Sequence, residues 1–189
     1  MSTFDTTGLG SLSPEVTKAI QKLAREHFVE RLWRRDSTLW GHESTRADAI
    51  KARLGWLHSV SAMRSQTRSL MDFADAARRD GFTHALLLGM GGSSLSAELL
   101  RHTFGVRPSF LDLAVLDSTD PVEIAAAEQR VDIRRTLFVV STKSGTTTET
   151  IAFFRYFFER AREARGRPAG EQFVAITDPG TPLERLAKE

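Results

Sequence analysis

The chain has 189 residues, 41% of them hydrophobic and 26% charged, with a formal net charge of +2 and no cysteine. That length suits one domain burying about 70% of its unfolded surface. The small, interspersed charge gives no argument for nucleic acid, and the absence of cysteine excludes disulfide and thiolate chemistry. No apolar stretch reaches the roughly 18 residues of a membrane span and the N-terminus has no signal-peptide core, which points to a cytoplasmic protein without membrane contact.

Residues 1–12 are rich in Gly, Ser and Thr and read as a flexible leader. Ser13-Pro14 then supplies a helix cap followed by proline at the first helical position. Val16, Ile20, Leu23, Phe28 and Leu32 extend one apolar face to about Arg35. Trp33 and Trp40, beside the helix end, read as packing residues rather than a sugar-stacking platform. After a polar turn over Gly41–Thr45, helices are predicted at 46–56 and 59–79, with Gly81 as the stop. Residues 13–82 thus form a helical segment expected to pack on the sheet domain C-terminal to it. His27, His42 and His58 lack ligand-like spacing, so no metal site is expected.

From Thr83 the pattern becomes strand 84–88, helix 94–104, strand 112–116, helix 121–129, strand 136–140, helix 147–165 and strand 172–177. This alternation predicts an α/β domain, a parallel sheet flanked by helices, over 83–189. The first strand empties into Gly89-Met90-Gly91-Gly92-Ser93-Ser94. Alone, that turn also suits the start of a dinucleotide fold, with Ser94 at the third-glycine place and Asp117 as the ribose acid. The third strand empties into Ser141-Thr142-Lys143-Ser144-Gly145-Thr146-Thr147-Thr148-Glu149-Thr150, which carries seven hydroxyls in ten residues. Helix-start amides, a glycine that turns the backbone and many hydroxyls make a phosphate cradle. Thr146 and Glu149 also have the spacing of a capping box, which alone would explain only one hydroxyl.

Both loops together resemble the phosphosugar isomerase (SIS) family, and within it the first SIS subdomain of the glucose-6-phosphate isomerases. The likeness rests on Leu87–Ser93 and Ser141–Thr150, supported by Leu116–Pro121 and Ala175–Gly180. Glu30–Asp36 and Arg53–Leu57 look more like the isomerase half of bifunctional transaldolase/glucose-6-phosphate isomerases. The resemblance implies a flavodoxin-like sheet, a sugar phosphate as ligand and neither organic cofactor nor metal. It implies that Thr142, Lys143, Ser144 and Thr147 grip the phosphate, joined by Gly92 and Ser93 from the first loop. Thr142 stands where the family commonly has serine.

A flavodoxin-like sheet has five strands, whereas four are legible before the helical pattern Pro182–Glu189, so the domain is expected to be incomplete. The family's glutamate base, ring-opening histidine and enediolate cation would all lie beyond this chain. The expected function is therefore the sugar-phosphate-binding N-terminal portion of an aldose–ketose isomerase, inactive by itself, with no catalytic residue of its own. Alternatives are a non-catalytic sugar-phosphate sensor and, less favoured, a dinucleotide-binding oxidoreductase. A bare edge on the last strand would invite self-association.

Overall fold

Strands rich in Leu, Val and Phe with no polar alternation need cover on both faces, and the second half of the chain supplies it. A computed structural model describes residues 7–41 and 44–189. Residues 1–6 of the expected leader, and His42 and Glu43 of the expected polar turn, lie outside the described residues. Two compact units divide the chain, Met1–Arg68 and Ser69–Glu189. Their boundary falls inside the helix Ser59–Arg79.

In the first unit, Thr7–Leu12 winds into 3-10 turns and leads to α1 (Ser13–Arg25) and α2 (Phe28–Trp33). The single helix expected to Arg35 is therefore two, and Leu12 rather than Ser13 holds the first cap position. His27 breaks the helix in the left-handed region at φ 50°. The reason lies in spacing: Leu23 and Phe28 are five residues apart, which a straight helix would turn roughly 140° away from each other. The break lets both line one apolar groove. Asp36 caps the 3-10 turn Ser37–Trp40 and accepts a hydrogen bond of 2.7 Å from Arg31 Nε. The Thr38 hydroxyl and then the Arg31 guanidinium hold its carboxyl down at about 2. Trp33 meets His58 edge-on at 5.9 Å, yet Trp33 and Trp40 each stay about half exposed, more than packing residues would.

Next come α3 (Ser44–Arg53), a 3-10 turn over Gly55–His58 and α4 (Ser59–Arg79). Gly81, at φ 86°, ends α4 as the sequence predicts. Its N–H reaches Arg78 O and that of Phe82 reaches Ala77 O, the paired closure that a left-handed residue permits.

The second unit alternates β1 (His84–Gly89), α5 (Leu95–Phe104), β2 (Asp112–Leu116), α6 (Pro121–Arg130), β3 (Thr136–Ser141), α7 (Thr148–Arg165), β4 (Phe173–Ile176) and α8 (Pro182–Leu186). All pairings are parallel, in the order β2-β1-β3-β4, which is the α/β arrangement expected. Leu86, Leu88, Phe138 and Val140 in the two central strands are 2% exposed or less. Phe153, Phe157 and Ala161, spaced at i, i+4 and i+8, turn one stripe of α7 onto them. Phe138 joins the layers, its ring 5.3 Å from Phe157 and stacked 4.7 Å from Phe173.

At the opposite end, the amide of buried Gln172 donates to Ile133 O at 2.7 Å and Thr136 O at 2.8 Å. Gln172 closes the 3-10 turn Arg167–Gln172, so β4 starts one residue later than the apolar run suggests. Replacing Phe138 by Ala should cost about 3–5 kcal/mol of stability. Val122→Ala, on an exposed helix face, should stay within about 0.5 kcal/mol of the parent. Urea denaturation followed by circular dichroism checks both.

Candidate functional site

From β1 the chain crosses to β2 on one side, then returns past β1 to β3 on the other. The direction of winding reverses between β1 and β3, and a crevice forms at the carboxyl ends of such strands. Gly89 pairs with Ser141 at those ends, so the two loops leave the sheet from adjacent positions, about 5 Å apart.

Close approach explains Gly89. A side-chain carbon there would lie 3.2 Å from Ser93 O and 3.3 Å from Ser141 O, wedged between its own loop and the neighbouring strand. Gly91 turns at φ 55° into a single 3-10 turn over Gly91–Ser93, leaving Gly92 exposed and Ser93 half-buried. Ser94, fully buried, has its hydroxyl 2.9 Å from Gly91 O and 3.1 Å from Asp117 Oδ2, acceptors between which its one proton chooses. Both residues weighed as parts of a nucleotide fingerprint are thus engaged with each other.

In the second loop Thr142 is buried, and its hydroxyl meets that of Thr147 at 2.7 Å, tying the loop's two ends together. Lys143 and Ser144 are exposed and Thr147 is half-buried. Ser144 Oγ accepts from Thr146 N at 3.2 Å and Thr146 Oγ1 at 2.9 Å. The capping box expected of Thr146 and Glu149 does not form: Thr147 holds the cap position, one residue later, and makes no side-chain capping bond. Both threonine hydroxyls are drawn back into the loop, so the first turn of α7 starts without a side-chain cap. The structure thus assembles Thr142, Lys143, Ser144 and Thr147 on one loop, and sets Gly92 and Ser93 on the loop leaving the adjacent strand.

A third loop, Thr177–Thr181 after β4, supports the second. Lys143 O accepts from Asp178 N at 3.2 Å and from Thr177 Oγ1 at 3.4 Å, while Lys143 Nζ pairs with Asp178 Oδ2 at 3.1 Å. Gly145 sits at φ 68°, and a side-chain carbon there would come 2.6 Å from Thr181 Cβ. The Thr181 hydroxyl accepts from Glu184 N at 3.2 Å and meets Thr177 Oγ1 at 2.9 Å; the Glu184 carboxylate accepts from Gly180 N. Lys188 and then the Gly180 N–H hold the Glu184 carboxyl below its usual range. The sequence offered a signal for this buttress, since Thr181-Pro182-Leu183-Glu184 has capping-box spacing. Nothing in it showed that the capped loop touches Lys143 and Gly145. Among the described residues, no cluster of three His, Asp or Glu gathers and no helix is long and apolar enough to cross a membrane.

The phosphoglucose isomerase family model matches residues 55–184. The glucose-6-phosphate isomerase of Chlamydia muridarum is 30% identical over 159 residues, 84% of this chain and 28% of its own. That of Sphingopyxis alaskensis is 28% identical over 144 residues, 76% of this chain and 28% of its own. Among solved structures, a glucose-6-phosphate isomerase from Chlamydia trachomatis superposes with a TM-score of 0.57 at 30% identity, covering 81% of this chain and 27% of that one. A hypothetical protein from Thermus thermophilus reaches 0.63 at 25% identity, covering 93% and 39%. The chain therefore spans little more than a quarter of the length of these curated relatives.

Gly145→Ala should cost on the order of 1–3 kcal/mol, because it meets both the positive φ and the Thr181 contact. Gly92→Ala, with open space and no positive φ, should stay within about 0.5 kcal/mol of the parent. Chemical denaturation midpoints of the two variants check the contrast.

Proposed function

This chain belongs to the phosphoglucose isomerase family, and from that premise we propose that it is the sugar-phosphate-binding N-terminal portion of a glucose-6-phosphate isomerase. One observation carries the reading: a glycine loop and a hydroxyl-and-lysine loop leave aligned ends of β1 and β3, where the sheet reverses its winding. A phosphate dianion seated there faces the positive end of the α7 dipole, the Lys143 ammonium and the hydroxyls of Ser144 and Thr147. Thr142 holds Thr147 in place, and the backbone at Gly92 and Ser93 closes the site from the first loop.

Interconverting glucose 6-phosphate and fructose 6-phosphate moves a proton between adjacent carbons through an enediol. The reaction needs a base at carbon, an acid–base pair for ring opening and a cation for the developing oxyanion. Glu149 is the one carboxylate within the 141–150 loop. Held beside the phosphate, it stands at the wrong end of the sugar for any of these roles. The segment accordingly grips substrate without turning it over, and the acid–base groups come from elsewhere in an isomerase. Glu30–Asp36 and Arg53–Leu57 support placing it in the isomerase part of a bifunctional transaldolase/glucose-6-phosphate isomerase. A cytoplasmic location accompanies the reading.

Calorimetric titration with glucose 6-phosphate and 6-phosphogluconate, beside a coupled isomerase assay, should show binding and no turnover. Ser144→Ala and Thr147→Val should each weaken binding by on the order of tenfold, the worth of a hydrogen bond to a charged group. Unchanged affinity in both variants removes the cradle. Turnover would place the acid–base groups within these 189 residues.

We also propose that β4, at the edge of the sheet with Ile176 56% exposed, pairs with a second copy. Light scattering should then give a mass that rises with concentration; a constant monomer mass would exclude the pairing.

A further inference from the structure

Lys143 is the cation of the proposed phosphate cradle, and its ammonium already has a partner. Asp178 Oδ2 lies 3.1 Å from Lys143 Nζ, with both side chains more than half exposed. Two features set this pair apart from an incidental surface contact. Backbone bonds hold the two residues together, since Asp178 N donates to Lys143 O and the preceding Thr142 N donates to Ile176 O at 3.0 Å. The loop carrying Asp178 is itself pinned, by Thr181 seated against Gly145 and by Glu184 capping Gly180. The Asp178 backbone is therefore held beside the cradle, with its carboxylate within reach of Lys143, by structure that does not depend on the ion pair.

We propose that Asp178 is a counter-charge residue that sets how much of the Lys143 charge a bound phosphate monoester can use. With the site empty, the carboxylate holds the ammonium in place and offsets its charge. An arriving dianion competes with Asp178 for the same three N–H donors and must draw the ammonium away from it or share it. Asp178 thereby weakens phosphate binding and keeps release easy, acting as a positioning residue through Lys143 rather than touching the reacting carbons. The inference rests on the phosphate-cradle reading and adds a residue that the two cradle loops do not contain.

The test is calorimetric titration of the whole chain and of Asp178→Asn, Lys143→Gln and the double variant with inorganic phosphate and glucose 6-phosphate. Asparagine keeps the backbone donor to Lys143 O, so circular dichroism and the denaturation midpoint should match the parent. Asp178→Asn should bind both ligands about two- to fivefold tighter, the range expected of an exposed ion pair. In the Lys143→Gln background the same change should give little or no gain. A purely structural role for Asp178 would show instead as unchanged or weaker binding in Asp178→Asn, which overturns the inference while leaving the cradle standing if the parent binds. An equal gain with and without Lys143 means direct repulsion of the ligand and also overturns it. Binding by Asp178→Asn where the parent shows none supports it, and absence of binding in every folded variant removes the inference and the cradle together.

Discussion

The parallel pairing of β1 with β3 is the constraint on which the rest depends. Because Gly89 and Ser141 are partners at the carboxyl end of that pairing, two loops separated by fifty residues of chain emerge side by side. Sliding the register by one residue would send every buried side chain of β3 to the opposite face and carry the hydroxyl loop out of line with the glycine loop. Packing forbids that slip: Leu86, Leu88, Phe138 and Val140 fill one core with the Phe153, Phe157 and Ala161 stripe of α7. Core burial and loop placement are thus one property of the sheet.

Glycine serves that arrangement in two distinct ways. Gly89 is needed for nearness, since the carbonyls of Ser93 and Ser141 crowd the space where a side chain would begin. Gly145 is needed for both nearness and conformation, with positive φ and the Thr181 side chain against it. The Thr181 contact ties the hydroxyl loop to the loop after β4, so the hydroxyl loop is braced from that side as well as from α7. Lys143 is held by this bracing, with its carbonyl, its ammonium and the amide of the preceding Thr142 all engaged by β4 or the loop after it.

The chain belongs to the phosphoglucose isomerase family, and the function proposed for it involves two kinds of chemistry. Gripping a phosphate calls for amides, hydroxyls and a cation, which one sheet end can supply. Moving a proton between carbons, the reaction of the proposed function, calls instead for acid–base groups at the far end of a sugar. The reversal of winding between β1 and β3 places hydroxyls, amides and a lysine at one crevice of the sheet.

Alternating strand and helix periods, the two loops after β1 and β3, and the Gly81 stop were legible in the sequence, because each is a local pattern governed by backbone geometry and side-chain period. The four strands were readable because runs such as Leu86-Leu87-Leu88 and Leu137-Phe138-Val139-Val140 have no polar face to turn outward. Local signals misled where two of them competed. The apolar residues after Ser13 resembled one helix until the five-residue step from Leu23 to Phe28 was resolved by a break at His27. Thr146 and Glu149 had capping spacing, but the Thr146 hydroxyl found Ser144 and the cap moved to Thr147. Strand order, the Gly89–Ser141 alignment, the burial of Thr142 and the brace from Thr177–Thr181 were decided only by tertiary structure, because each depends on which distant segments lie side by side, and residue type alone does not encode distance.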